Sequence, residues 1–232
     1  MNSAVNHAIN AAPISEFTAE LQKKAAKIGI NIDRQKLNLF AMYYRELVFW
    51  NRLINLVSER SMCEIIERHF VDSLTPLPLL KQDSGCLLDL GSGGGFPGLP
   101  LKIMLPKLHV FLVDASRKKT SFLSNTARLL NLTETSVLRE RIEDLVERED
   151  FKRKFDTVIS RAALKLDQML VFSASFLKKD GQLIAMKGAD AAKEIKAAEA
   201  TAAAVGMTCA GEVSQCASIN NSLKKIVVYK RL

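Results

Sequence analysis

The chain has 232 residues, 48% of them hydrophobic and 25% charged, with a formal net charge of +8. That is enough to bury a core without disulfide or metal staples, and it suits one α/β domain with a modest extension. The basic balance favours an anionic partner such as nucleic acid, and the absence of any run of about 18 apolar residues excludes a membrane-spanning helix.

Residues 1–12 read as a loose tail, without the basic start and apolar core of a secretory signal, so a soluble cytoplasmic protein is expected. Residues 13–82 read as a helical extension. Leu21, Ala25 and Ile28 form one apolar stripe; Leu37, Phe40, Ala41, Tyr44, Leu47 and Val48 form a second at helical spacing. A third helix is expected over Met62–Leu74, capped by Ser61 and ended by Pro76 and Pro78. Gln82, Asp83, Ser84 and Gly85 mark a boundary, and residues 83–232 change rhythm. Apolar strands are expected at 86–90, 110–114, 136–138, 155–160 and 182–186, alternating with helices at 118–130, 142–148 and 163–177. This alternation predicts a Rossmann-like α/β fold, a mostly parallel sheet with helices on both faces. Arg139–Lys154, with nearly balanced charge, reads as a solvated helix. An alanine-rich helix at 189–205 precedes two strands, 207–216 and 224–229. They are joined through residues 218–222, and their hairpin closes the sheet with one antiparallel strand. Cys63, Cys86, Cys209 and Cys216 show no C-x-x-C spacing and the chain has three histidines, so reduced thiols and no metal site are expected.

The stretch most informative for function is Leu87-Leu88-Asp89-Leu90-Gly91-Ser92-Gly93-Gly94-Gly95-Phe96-Pro97-Gly98. A strand carrying an acid runs into a glycine turn, where ligand can approach the backbone, and Pro97 has φ suited to a helix start. The place is the C-terminal edge of the first parallel strand, where open α/β sheets bind ligands. Phe96 stands where the dinucleotide pattern wants its third glycine, and the Walker ending is absent. Asp89 suits a cationic ligand rather than a pyrophosphate. S-adenosylmethionine, with its amino group and sulfonium, fits, and Asp114 at the end of the second strand suits ribose hydroxyls. A methyltransferase is the reading these residues support.

The residues also resemble the bacterial glucose-inhibited division protein B family, the small-subunit ribosomal RNA guanine-N7 methyltransferases (RsmG). The likeness covers nearly the whole chain. It rests on Asn51-Arg52-Leu53-Ile54-Asn55-Leu56, His69-Phe70-Val71-Asp72-Ser73-Leu74, Asp89 through Pro100, Ser160-Arg161-Ala162 and Lys187-Gly188, in that order. Val57 and Gly94 depart from the family's usual threonine and proline or alanine. The resemblance implies S-adenosylmethionine as cofactor, held by Gly91 and Phe96 of the glycine turn, with Gly93 between them, by Ile142 and Glu143 after the third strand, and by Arg161. Arg161 faces the crevice and is expected to hold the methionine carboxylate or the RNA; the alternative is a surface salt bridge. His69 and Asp72 share a helix face and read either as a lid on the pocket or as a packing pair.

The substrate so implied is 16S ribosomal RNA or the small ribosomal subunit, in its 530-loop region, acted on by a monomer. Guanine N7 carries a lone pair and no hydrogen, so transfer needs alignment rather than a base. No obligate acid or base is expected; Arg161 and Lys187 are positioning candidates. RNA contacts are expected from Arg117, Lys118, Lys119, Lys187, Lys224 and Lys225. The competing enzyme is a ribose 2′-O-methyltransferase, part of whose Lys-Asp-Lys-Glu set Asp156, Lys187 and Glu212 mimic. A small-molecule methyltransferase and a non-enzymatic RNA-binding scaffold complete the alternatives.

Overall fold

Apolar strands separated by helices must pair side by side to satisfy their backbones. The computed structural model describes residues 14–59, 61–80, 84–161, 163–188, 191–216 and 223–232. In it seven strands form one sheet: β1 Cys86–Leu90, β2 His109–Val113, β3 Thr135–Leu138, β4 Phe155–Arg161, β5 Leu177–Lys187, β6 Met207–Cys216 and β7 Leu223–Arg231. Their order is β3-β2-β1-β4-β5-β7-β6, parallel through β5, with β7 antiparallel to both its neighbours. The order reverses direction between β1 and β4, which opens a crevice beyond the carboxyl ends of these strands.

The central strands bury both faces. Leu87 of β1, Leu112 of β2 and Ile159 of β4 face one core; Leu88 and Leu90, Val113 and Val158 face the other. The second core is covered by α7 Ile142–Val146, α8 Leu166–Phe176 and α9 Ala191–Ala204. The first is covered by α5 Gly98–Met104 and α6 Arg117–Leu129 together with the N-terminal helices α1 Ile14–Lys27 and α2 Arg34–Asn51. A helical run over 62–74 completes that layer: α3 Met62–Ile65, a π-helical turn Ile66–Val71 and α4 Asp72–Leu74. Its cap is Ser61, which accepts the Glu64 N–H.

Phe70 sits at the centre of this layer, with ring centroids of Phe17, Tyr43, Phe96 and Phe40 at 5.3, 5.2, 5.3 and 5.9 Å. The Lys24–Glu67 pair, 2.7 Å apart and largely buried, ties α1 to the π turn. The N-terminal helices therefore share one apolar core with the sheet.

Several sequence expectations shift. Ile28 lies past the end of α1 and is exposed, and Phe17 takes its place on the buried stripe. Arg139–Lys154 is no single helix. It holds the end of the β3 connection, the short α7 and a 3-10 turn Glu149–Phe151, because Phe151 turns inward and Lys154 lies over the Phe111 and Phe151 rings at 4.7 and 4.8 Å. The tail 1–12, residues 82–83, Ala162, the 218–222 connection and the side chains of Cys216 and Lys224 lie outside the described residues. Among the described residues no helix is long and apolar enough to cross a membrane, and no group of metal-binding side chains forms.

Because helices and sheet share a core, denaturant unfolding is expected to show one transition by both near-ultraviolet and far-ultraviolet signals. Phe70→Ala should lower stability by about 3–5 kcal/mol. Two separate transitions in the wild type would show that the extension is an independent unit.

Candidate active site

The turn after β1 is bound to the end of β2. The Gly91 and Ser92 N–H groups both donate to the Val113 carbonyl at 2.9 Å, and the Val113 N–H donates to Ser92 Oγ at 3.1 Å. Gly91 has φ +76°, and a Cβ there would lie 2.5 Å from that of Ala163, so only glycine lets the turn pass beside the β4 exit.

Asp89 is wholly buried in β1. Its Oδ2 accepts the Gly98 N–H at 3.0 Å and so caps α5. A Cβ at Gly98 would stand 2.7 Å from that oxygen and 2.3 Å from Leu112, which explains a glycine at the head of this helix. One oxygen of the acid expected to serve a ligand is thus committed to the helix. The other, Oδ1, is buried with no hydrogen-bond partner among the described residues. Burial pushes the Asp89 carboxyl up to about 7, against the partial relief of the Gly98 N–H, the neighbouring Ser92 hydroxyl and the Arg161 charge. Asp114, just past β2, accepts the Gly93 N–H on Oδ2 at 3.0 Å and the Ser116 N–H on Oδ1 at 2.8 Å. It is half-buried at the rim of the turn.

Arg161 leaves β4 toward the π turn and meets both residues of the H-x-x-D face. Its Nη1 donates to Asp72 Oδ2 at 3.1 Å and to the Arg68 carbonyl at 2.8 Å, and its Nη2 to His69 Nδ1 at 3.0 Å. The π register makes this possible. The Asp72 N–H donates to the Glu67 and His69 carbonyls, so the Arg68 oxygen that α-helical spacing would assign to it receives the guanidinium. An arginine only donates, so His69 Nδ1 is an acceptor and its proton sits on Nε2, 2.5 Å from Glu59 Oε2. Burial and the Arg161 charge push the His69 pKa below its usual value, consistent with the neutral ring. Burial opposes ionisation of Glu59, but the His69 and Arg68 contacts prevail and hold it near 2. Phe96, almost fully buried, packs on His69 and Tyr43 with the Arg161 guanidinium 5.3 Å from its ring centre.

The other predicted residues spread along the same edge. Ile142 is half-buried and Glu143 exposed, both opening α7 after β3. Arg117 and Lys118 are exposed and Lys119 half-buried at the start of α6. Lys187 departs from its expected place at the RNA surface: it is buried, with Nζ on the Leu164 carbonyl at 2.6 Å and on Glu194 at 2.8 Å, where it pins the segment leaving β4. Lys225 pairs with Glu212 at 2.9 Å. The 2′-O set does not assemble. Asp156 stands at the start of β4 on the Cys86 N–H and Lys178, and Lys187 lies at the opposite edge of the sheet.

Two residues escaped sequence reasoning. Tyr43, fully buried, donates its hydroxyl to the Gly94 carbonyl and so holds the glycine turn from α2. Glu59 anchors His69. A buried tyrosine needing a partner was the one available signal for the first; the second had none.

A family model described as rRNA small subunit methyltransferase G matches residues 36–222. A ribosomal RNA small subunit methyltransferase G of Syntrophus aciditrophicus is 46% identical over 188 residues, 81% of this chain and 78% of the relative. One of Carboxydothermus hydrogenoformans is 36% identical over 92% of this chain and 91% of its own length. Among solved structures, M. jannaschii TYW2 in complex with AdoMet superposes with TM-score 0.57 at 14% identity, covering 70% of this chain and 76% of its own. The [4+2]-cyclase SpnF reaches 0.58 at 12% identity, over 76% and 84%. Likeness at that level shows a shared fold and no particular reaction.

Two outcomes follow from this geometry. The raised Asp89 pKa means that the folded chain holds a proton the unfolded chain releases from about pH 4 upward. Its contribution to stability is present below pH 4 and falls by up to about 1.4 kcal/mol per pH unit as pH rises toward 7. Asp89→Asn keeps the cap and removes the titration. The stability difference between wild type and variant, measured by urea unfolding from pH 4 to 8, should shift in the variant's favour by that slope and level off above 7; a flat difference would contradict it. Tyr43→Phe should cost about 1 kcal/mol and speed amide hydrogen exchange at Gly95 and Phe96.

Proposed function

The chain belongs to the rRNA small subunit methyltransferase G family, and from that premise we propose that it transfers a methyl group from S-adenosylmethionine to N7 of one guanine in 16S ribosomal RNA. The observation that carries the cofactor reading is the unpartnered Asp89 Oδ1, buried beside a glycine turn at the point where strand order reverses. A buried acceptor of this kind suits an ammonium group. Asp89 would hold the amino group, Gly91, Gly93 and the Phe96 backbone the chain beside it, Asp114 the ribose hydroxyls, and Ile142 with Glu143 the adenine. Arg161 would hold the methionine carboxylate or the RNA. The 530-loop region is the target by family resemblance, with the chain acting as a monomer in the cytoplasm.

When bound, S-adenosylmethionine supplies an electrophilic methyl group. Guanine N7 presents a lone pair and no proton, so the protein need only align the two. The site agrees with that demand. His69 is engaged on both ring nitrogens, by Glu59 and by Arg161, so neither is free to act on a substrate proton. Glu59, through His69, together with Asp72 and the π turn, instead keeps the Arg161 guanidinium fixed at the crevice wall. Lys187 positions the 163–166 segment through Leu164 and Glu194.

Labelled methyl transfer to small subunits lacking this modification, mapped by chemistry specific for N7-methylguanine, should mark a single guanine. Label on a ribose would overturn the acceptor, and no label despite cofactor binding would point to a small-molecule or scaffold role. Calorimetry should show the affinity for S-adenosylmethionine rising with pH through about 7, as Asp89 becomes a carboxylate, and Asp89→Asn should weaken binding and abolish that dependence.

A further inference from the structure

Beside the glycine turn, outside the crevice assigned above, lies a second cavity of about 340 Å³, lined by Asn51, Arg52, Leu53, Ile54, Asn55, Ser116, Lys118 and Lys119. One wall is the turn that follows α2. Asn51 makes it rigid: its Oδ1 accepts the Leu56 and Val57 N–H groups at 2.8 and 3.0 Å, and its Nδ2 donates to the Val57 carbonyl at 3.1 Å. With Asn51 so occupied, the turn displays Arg52, Leu53 and Asn55 to solvent, Leu53 at 66% exposure. The other wall is the N-terminus of α6, a helix of 13 residues with no acid in its first turn.

Three cations, the apolar side chains of Leu53 and Ile54 and the amides of Asn51 and Asn55 thus line a single hollow. Lys118 and Lys119 make no ion pair among the described residues, and no carboxylate lines the cavity. The cavity also borders the cofactor crevice through two contacts. Ser116 donates its N–H to the same Asp114 carboxylate that takes the Gly93 N–H. The Leu56 carbonyl lies 3.5 Å from where a Cβ on Gly94 would stand.

We propose that this cavity is a subsite for one nucleotide of the RNA strand next to the target guanine. Arg52, Lys118 and Lys119 take its phosphodiester, Leu53 lies against the base face, and Asn55 offers an amide to the base edge. The chemistry is that of single-strand recognition, in which cations track the backbone and an apolar surface supports the base. Holding the neighbour would help keep the target splayed toward the methyl donor. The proposal rests on the RNA-methylating role above.

The test uses the full chain with small subunits lacking the modification. The single variants Arg52→Ala, Lys118→Ala and Leu53→Asp, and the double variant Arg52→Ala with Lys118→Ala, are assayed for N7 methylation and for S-adenosylmethionine affinity. The expected result is an unchanged cofactor affinity and an unchanged kcat, with KM raised about five- to twentyfold in the singles and more in the double. The salt dependence of RNA affinity should flatten by ~0.7 per lost phosphate contact. Photocrosslinking with 4-thiouridine placed beside the target should mark the 51–55 turn in the wild type and lose that mark in Leu53→Asp. Wild-type methylation that survives all variants with unchanged KM and salt slope overturns the subsite while leaving the reaction intact. Guanosine monophosphate binding that depends on Arg52, with RNA methylation unaffected by the variants, overturns it in favour of a free nucleotide. No N7 methylation by the wild type overturns the parent reading itself.

Discussion

A carboxyl group placed inside a sheet, with no cation bonded to it among the described residues, sets the terms for this molecule. Asp89 is out of reach of water, and an ionised acid there is costly unless its oxygens find donors. One oxygen finds the first N–H of α5, and that bond demands a glycine at 98 and fixes where α5 enters. The other has no hydrogen-bond partner among the described residues. The site is therefore built around an unmet electrostatic need, which a cationic ligand at the glycine turn would satisfy. Such a group weakens the empty fold near neutral pH, a common trade between stability and function.

The N-terminal helices provide the structure behind that turn. Tyr43 reaches from α2 to the Gly94 carbonyl, Phe96 packs between Tyr43 and His69, and Phe70 binds the aromatic layer together. The π turn changes which carbonyl is available at the end of this layer, and Arg161 uses it. A charged side chain is thereby held in one place without a free carboxylate having to move, because Asp72 and the Glu59–His69 pair share its support. The extension is part of the site's wall as well as part of its core.

Charge is divided by position. Lys187 is turned inward as a brace, whereas Arg52, Lys118 and Lys119 face a hollow beside the crevice. The net charge of +8 is thus only a first indication of where an anionic strand would lie.

The sequence by itself determined the alternation of strands and helices, the parallel sheet with its antiparallel addition, the glycine turn at the end of β1, and the edge along which Asp114, Ile142 and Arg161 fall. These are short-range matters: side-chain period, turn chemistry and strand order act over a few residues at a time. Only the tertiary structure decided that Tyr43 meets Gly94, 51 residues away, that Arg161 meets His69, 92 residues away, and that Asp89 commits one oxygen to α5 and leaves the other without a hydrogen-bond partner among the described residues. It also decided that Lys187 points inward and that the Asn51–Asn55 turn faces the start of α6. Such pairings depend on which buried faces pack against each other, and no local pattern carries that information, because a polar side chain's partner is set by where the core brings the backbone rather than by its neighbours in the chain.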